Sequence, residues 1–151
     1  SSFFAPKWET FRFVKCYLKT PMRTLALLTL FSTSSVFAAS EADREKAFKA
    51  DIAPILEKSC ANCHDPKKAK NGKVKSGFNS SSLADVIKGG TDDGVGITWG
   101  DASKSSLYKS VNMTLSDPEH DDAMPPKKSQ EKNPPLTKEQ VAKIKAFIEA
   151  K

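Results

Sequence analysis

Cys60-Ala61-Asn62-Cys63-His64 is the most informative stretch of the 151-residue chain. Its C-x-x-C-H spacing is the attachment pattern of c-type haem, in which both thiols bond to the porphyrin and the adjoining imidazole binds the iron. We therefore predict one haem c, attached covalently through Cys60 and Cys63, with His64 as the proximal iron ligand. The alternative is a dithiol or disulfide beside an uninvolved histidine, because a bare C-x-x-C also occurs in zinc and thiol redox sites.

The charge balance of the chain excludes one class of partner. The formal net charge is +6 at pH 7, but residues 1–39 hold five basic side chains and one acid, which leaves only +2 for residues 40–151. Nucleic-acid-binding domains are usually far more basic, with the charge gathered on one face. We expect no nucleic-acid partner, and a chain of this length permits a single domain.

Residues 22–39 have the three parts of a secretory signal peptide. A short basic start is followed by an apolar run over residues 25–31 and then by small residues at Ala38 and Ala39, where cleavage is expected. The apolar run is shorter than the ~20 residues that cross a bilayer, so an uncleaved anchor is the weaker alternative. We predict export to the periplasm, cleavage of this signal peptide and no stable membrane insertion afterwards.

Residues 1–21 precede this signal, although a secretory signal normally begins a chain. We interpret them as an upstream extension that follows from a misassigned start, with translation beginning at Met22. Cys16 lies in this extension and is given no function, and the haem uses both other cysteines, so no disulfide is expected. Residues 40–151 are the predicted exported domain, which agrees with haem binding because bacteria attach c-type haem outside the cytoplasm.

Hydrophobic periodicity predicts an all-helical domain, since apolar residues recur at three- and four-residue steps. The predicted helices span residues 41–60, 82–88 and 103–112, with a final helix that begins after Thr137. Pro54 is expected to bend or break the first helix near residues 51–53. Asp51 would then cap the turn that follows, because proline is tolerated in a first helical turn, where its missing N–H costs little.

The other helix ends also carry signals. Gly89-Gly90 is a typical stop for the second helix, and Ser103 is the expected N-cap of the third. Thr137 with Gln140 three residues later forms a capping box at the start of the last helix. We expect this last helix to pack across the first one and to close the core over the haem.

Trp99 and Tyr108 are the aromatic candidates for haem contact. Trp99 lies in a loop rich in Gly and Asp, where its indole could pack on the porphyrin or donate a hydrogen bond to a propionate. The alternative for Trp99 is an ordinary core aromatic. Tyr108 lies on the inner face of the third helix and is interpreted as a core residue first and a haem neighbour second.

Met124 is the leading candidate for the distal iron ligand. It lies in the proline-rich loop over residues 117–135, and a long loop of this kind usually has a function. A thioether opposite histidine binds haem iron well and raises the reduction potential. His120 is the alternative distal ligand and would give a bis-His site, although its acidic neighbours suit a surface histidine. Met113 is interpreted as core filler.

The loop after His64 carries a cluster of lysines. Its members are Lys67, Lys68, Lys70, Lys73 and Lys75. One interpretation is a positive rim beside the haem edge that attracts an acidic redox partner. The other interpretation is that these side chains serve solubility alone, and the sequence does not separate the two.

Together these motifs resemble those of small class I cytochromes c, and more closely the planctomycete-type cytochrome c domain. The matching segments follow the family's order, namely Ile52-Ala53-Pro54-Ile55-Leu56, the C-x-x-C-H run, Gly89-Gly90, residues 100–107, Met124-Pro125-Pro126 and residues 136–140. The likeness spans about residues 45–150. Residues 71–78 depart from it, because they are more polar than the family's usual run.

The resemblance implies an all-α class I cytochrome c fold, with the N- and C-terminal helices packed across each other around one covalently bound haem. It also implies that His64 is the proximal ligand and Met124 the distal ligand. The expected function is one-electron transfer between periplasmic redox partners, without catalysis. The alternatives are a haem sensor or peroxidase-like enzyme with a labile distal side, and a noncatalytic subunit of a larger oxidoreductase.

Overall fold

The computed structural model describes residues 39–150, which form helices and turns without any β-strand. The helices are α1 (Glu41–Ala47), α2 (Ala53–Ser59), α3 (Ala61–His64), α4 (Leu83–Lys88), α5 (Ser106–Ser116) and α6 (Lys138–Glu149). Short 3-10 turns span Lys70–Gly72, Lys75–Gly77, Ala102–Lys104 and Lys127–Ser129. None of the helices in this described range is long and apolar enough to cross a bilayer. The predicted extension over residues 1–21, with Cys16, and all but the last residue of the predicted signal peptide lie outside the described residues.

The first predicted helix is interrupted, as Pro54 indicates. α1 and α2 are separated by a π-helical turn, Phe48–Ile52, in which the Ala53 N–H donates to the Phe48 carbonyl. Pro54 has no N–H to donate, and it lies in the first turn of α2, directly after this wider turn. The prediction that Asp51 caps α2 is wrong, because the backbone stays helical throughout and no side chain caps α2.

The start of α5 also differs from the prediction. Ser103 is not its N-cap, because the helix begins at Ser106 and Ser103 lies in the preceding 3-10 turn. Asp101 takes the capping role there, since its carboxylate accepts from the Ser103 hydroxyl at 2.6 Å and from the Lys104 N–H at 3.2 Å. The hydrogen bond from Ser103, followed by the one from Lys104, lowers the pKa of Asp101 to about 2. The N-cap position of α5 itself is Ser105, whose side chain makes no capping hydrogen bond.

Helix α6 has the predicted capping box. The Thr137 hydroxyl accepts from the Gln140 N–H at 3.3 Å, and the Gln140 side chain accepts from the Thr137 N–H at 2.9 Å. Its buried face consists of Val141, Ile144, Phe147 and Ile148. The Phe147 ring lies 6.2 Å from that of Phe48, between centroids. The first and last helical segments are therefore in contact, as expected from their apolar faces.

The turn after α4 brings a second part of the chain towards the haem motif. Gly89 ends the helix with a φ of 82°, a conformation that glycine adopts without strain. At Gly90, a Cβ atom would lie only 2.6 Å from the Ser76 carbonyl oxygen. The Gly89-Gly90 stop is thus confirmed, and Gly90 permits a close approach between this turn and the loop that follows His64.

Candidate functional site

The structure brings Cys60, His64 and Met124 to one cleft. This cleft encloses about 520 Å³ of space, part of it continuous with solvent. Helix α5 supplies an apolar wall through Leu107 and Val111. Two segments that are distant in the chain therefore meet around one mostly apolar recess, which is the usual form of a cofactor site.

His64 is held by the loop that follows it. Its Nδ1 atom lies 3.3 Å from the carbonyl oxygen of Phe78, and the two rings meet edge to face at 5.2 Å between centroids. A carbonyl can only accept, so Nδ1 must carry the proton, which leaves Nε2 unprotonated and available to a metal. Metal-binding histidines are commonly oriented by a second hydrogen bond of this kind. No motif or periodicity in the sequence singled out Phe78.

Burial acts on two titratable groups of the motif, His64 and Cys60. It lowers the pKa of His64, which favours the neutral imidazole that binds iron. Burial, with a smaller contribution from Cys63, raises the pKa of the Cys60 thiol from 9.0 to about 12. Reactive cysteines of thiol redox sites have lowered pKa values, so this environment disfavours the dithiol interpretation. Cys60 and Cys63 are not joined in a disulfide, and both side chains are half-buried.

Met124 is attached to α5 through its backbone. Its N–H donates to the Ser110 carbonyl at 3.1 Å, and its carbonyl accepts from the Thr114 hydroxyl at 2.8 Å. The next residue, Pro125, is buried and its carbonyl accepts from the Gln130 side chain at 3.1 Å. The prolines alone predicted a stiff loop, whereas the structure shows which helix holds it.

The far end of the same loop is tied to the haem motif. The Asn62 side-chain amide donates to the Asn133 side chain at 3.0 Å and reaches the Lys132 carbonyl at 3.4 Å. Asn133 is buried and also donates to the Ser129 carbonyl at 3.3 Å. Asn62 occupies a variable position of the C-x-x-C-H pattern, so the motif gave no indication of this contact.

The arrangement fits a c-type haem. A histidine with its Nδ1 satisfied, a methionine thioether and the first cysteine of the motif all face the same recess, and α5 provides an apolar wall. In the described range, no three His, Cys, Asp or Glu side chains are grouped so that they could hold a metal ion by themselves. His64 and Met124 are the residues that would bind the iron, and Cys60 and Cys63 are those that would bond to the porphyrin.

Two aromatic candidates lie elsewhere. Trp99 does not line the cleft; it packs edge to face on Phe147 at 5.3 Å between centroids, with the Arg44 guanidinium 4.3 Å from its ring centroid. In the structure Trp99 therefore packs between α1 and α6, as expected for the alternative interpretation of an ordinary core aromatic. Tyr108 also does not line the cleft and packs, partly buried, against the hydrophobic core.

The alternative distal candidates are also placed outside the cleft. His120 is exposed, and its Nδ1 accepts from the Asp122 N–H at 3.1 Å. Met113 is half-buried on α5, with its sulfur 4.0 Å from the Ser116 hydroxyl. Of the three residues weighed for the distal position, the structure brings only Met124 to the recess that His64 lines.

Comparison with known proteins agrees with this geometry. The model of the family described as planctomycete cytochrome C matches residues 60–128, a little under half of the chain. No curated protein and no solved structure matches the chain significantly. The matched segment begins at Cys60 and includes Met124, but it leaves out α1, α2 and α6. The match therefore supports a planctomycete-type cytochrome c domain in this part of the chain.

Proposed function

We propose that this protein is a single-haem c-type cytochrome of the class I arrangement that carries one electron and is not an enzyme. The haem would be attached through Cys60 and Cys63 and ligated by His64 and Met124. The observation that carries the proposal is the meeting of His64 and Met124 at one cleft, although they come from separate parts of the chain. The match to a cytochrome c family supports the cofactor.

The chain's own residues have separable roles in this proposal. A haem bound here would supply a one-electron couple. His64, oriented by the Phe78 carbonyl, would hold the iron through a neutral imidazole, and the soft Met124 thioether would favour the reduced state. The apolar side chains of Leu107 and Val111 would limit the access of water to the cleft. The access of water to a haem changes its reduction potential.

The placement of His120 favours a carrier over an enzyme. Peroxidase-like chemistry needs an open distal position and a nearby acid–base group. His120 was the residue weighed for that role, and it lies on the surface, bound to the Asp122 N–H. If both axial positions are taken by His64 and Met124, no position remains for a substrate.

Carbon monoxide separates the carrier from a sensor or enzyme. We expect the reduced, haem-loaded protein to bind carbon monoxide slowly at neutral pH, because the gas must wait for Met124 to leave. Stopped-flow absorbance after rapid mixing measures this rate. Fast binding, in proportion to gas concentration, would instead support a labile distal side and a sensor or enzyme. Myoglobin, with its open sixth position, provides the reference for fast binding.

We further propose that the protein works in the periplasm and that its lysine-rich loop attracts acidic redox partners. Lys67, Lys70, Lys73 and Lys75 are exposed on the segment between His64 and Phe78, and Lys68 pairs with Glu57 at 2.8 Å. Because Phe78 contacts the His64 ring, this loop lies next to the cleft, where an approaching partner would exchange an electron. Exposed charge of one sign raises association rates with oppositely charged partners.

Charge reversal tests this loop. In the double variant Lys70→Glu/Lys73→Glu, oxidation by the anion hexacyanoferrate(III) should slow by about tenfold at low salt, since steering of this kind changes rates by 10-fold or more. The loss should shrink as salt is added, because salt screens exposed charges. Lys138→Glu/Lys143→Glu on α6 is the matched control and should change the rate much less. Equal losses in both variants would show that only net charge matters.

A further inference from the structure

Thr114 makes an unusual hydrogen bond for a threonine within a helix. It lies near the end of α5 and is buried. A threonine hydroxyl in a helix ordinarily donates to the carbonyl four residues earlier. Here that distance, from the hydroxyl oxygen to the Ser110 carbonyl oxygen, is 3.4 Å, whereas the Met124 carbonyl oxygen lies at 2.8 Å. A hydroxyl has one hydrogen to donate, so it is directed to Met124.

The backbone of Met124 is bound at two points to one turn of α5. Its N–H donates to the Ser110 carbonyl at 3.1 Å, and its carbonyl accepts from Thr114. Residues four apart on a helix lie on the same face, one turn above the other. Both polar groups of the Met124 peptide backbone therefore dock on one short stretch of a rigid element, which leaves mainly the side-chain torsions free.

The same helix forms a wall of the cleft. Leu107, Ser110 and Val111 of α5 line the recess that His64 also lines. The position of the Met124 sulfur is consequently set relative to the cleft itself and not only by the stiffness of its own loop. The prolines that follow Met124 limit how the loop bends, but they cannot determine where it is attached.

We propose that Thr114 is a positioning residue, whose hydroxyl, together with the Ser110 carbonyl, clamps the Met124 backbone to α5 and so holds the thioether over the cleft. This inference rests on the proposed ligation by Met124. Without the hydroxyl, the Met124 carbonyl loses its donor and the loop must shift to satisfy it elsewhere, because a partly buried carbonyl without a donor is unfavourable. The thioether then moves with the backbone.

The haem-loaded variant Thr114→Val tests the clamp, since valine has nearly the same shape and lacks the hydroxyl. Imidazole added to the oxidised protein displaces the methionine, and the loss of the weak sulfur-to-iron band at the red end of the spectrum reports the displacement. We expect the midpoint of this titration to fall about tenfold or more, as is typical when a group that orients a metal ligand is removed. Thr114→Ser keeps the hydroxyl and should restore the wild-type midpoint.

Thr137→Val is the matched control. It removes the N-cap of α6 and so lowers thermal stability, but Thr137 has no contact with Met124 or its loop among the hydrogen bonds of the described residues. Its imidazole midpoint should equal that of the wild type. An equal shift in Thr137→Val would show that general destabilisation is responsible and would overturn the inference, as would an unshifted midpoint in Thr114→Val.

The wild-type protein provides a measurement that does not depend on any variant folding. The Met124 amide, bound to the Ser110 carbonyl, should exchange its hydrogen as slowly as the amides within α5, whereas the amide of exposed Asp121 should exchange quickly. Fast exchange at Met124 would overturn the clamp. A wild-type protein with haem but without the sulfur-to-iron band would overturn Met124 ligation and this inference with it, while a normal band with an unshifted Thr114→Val midpoint would overturn the inference alone.

Discussion

Replacing both motif cysteines, as Cys60→Ala/Cys63→Ala, is expected to yield a colourless protein that no longer unfolds cooperatively. Without the thiols there is no covalent attachment, and the apolar side chains that line the cleft, Leu107 and Val111 among them, are left without the haem that would pack on them. Removing a large buried group costs the contacts that it made with its neighbours, which for a single large core side chain is on the order of 3–5 kcal/mol. Total stabilities of small domains are about 5–15 kcal/mol, and a domain of this size is marginal without additional support.

Mass spectrometry and thermal melts followed by far-UV circular dichroism measure the two parts of this prediction. The wild-type protein should carry the added mass of one haem and melt in one sharp transition, and the variant should do neither. Ser81→Ala is the control, because a substitution to alanine at an exposed position outside the motif should leave colour and melting unchanged. A variant that melts as cooperatively as the wild type would contradict the structural role given to the haem, and a colourless wild type with two free thiols would contradict haem attachment.

Replacing Met124 with alanine is expected to open the distal side of the site. The oxidised variant should lose the sulfur-to-iron band, and its reduction potential should fall, because a thioether opposite histidine raises the potential of haem iron. The reduced variant should bind carbon monoxide at a rate that rises in proportion to gas concentration, since no protein ligand must leave first. Absorption spectra, a redox titration and stopped-flow mixing measure these three changes.

Met113→Ala is the control for this variant, because it removes a second thioether, on α5, that does not line the cleft. Its band, potential and carbon monoxide kinetics should match those of the wild type. His120→Ala should also be silent, since that side chain is exposed and bound to the Asp122 N–H. A band that survives in Met124→Ala would exclude this residue as the ligand, and a spectral change in His120→Ala would revive the bis-His alternative.

Local signals in the chain predicted local structure well. The capping box at Thr137 and Gln140, the interruption at Pro54 and the stop at Gly89-Gly90 all occur where the sequence indicates them. Each of these depends on residues within about one helical turn of one another, so the necessary partners are visible in the sequence. The capping roles given to Asp51 and Ser103 were wrong, because a π-helical turn continues the helix before α2 and a separate 3-10 turn that contains Ser103 precedes α5.

In the candidate site, too, the sequence indicated the features that depend on neighbouring residues and left open those that depend on distant contacts. The C-x-x-C-H motif identified Cys60, Cys63 and His64 because its spacing is imposed by the chemistry of attachment, which is local. The sequence also singled out Met124, from its position between an acidic stretch and two prolines. It could not choose firmly between Met124 and His120, since both lie in one aperiodic loop and their distance from the cleft depends on how that loop is attached.

Chemistry was therefore readable from the sequence alone: the haem motif, the soft sulfur in a stiff loop and the helical character of the domain. The folded chain was needed to reveal how the candidate ligands are held, through the Phe78 carbonyl on His64 and the Thr114 hydroxyl on Met124. It was also needed to reveal the hydrogen bond from Asn62 to Asn133, which ties the Met124 loop to the C-x-x-C-H motif. It also shows Trp99 packed on Phe147, which is the second of the two interpretations that the sequence left open. The physical reason is that a hydrogen bond or ring contact between distant residues leaves no periodic trace, because any side chain or peptide group of suitable shape can supply the partner.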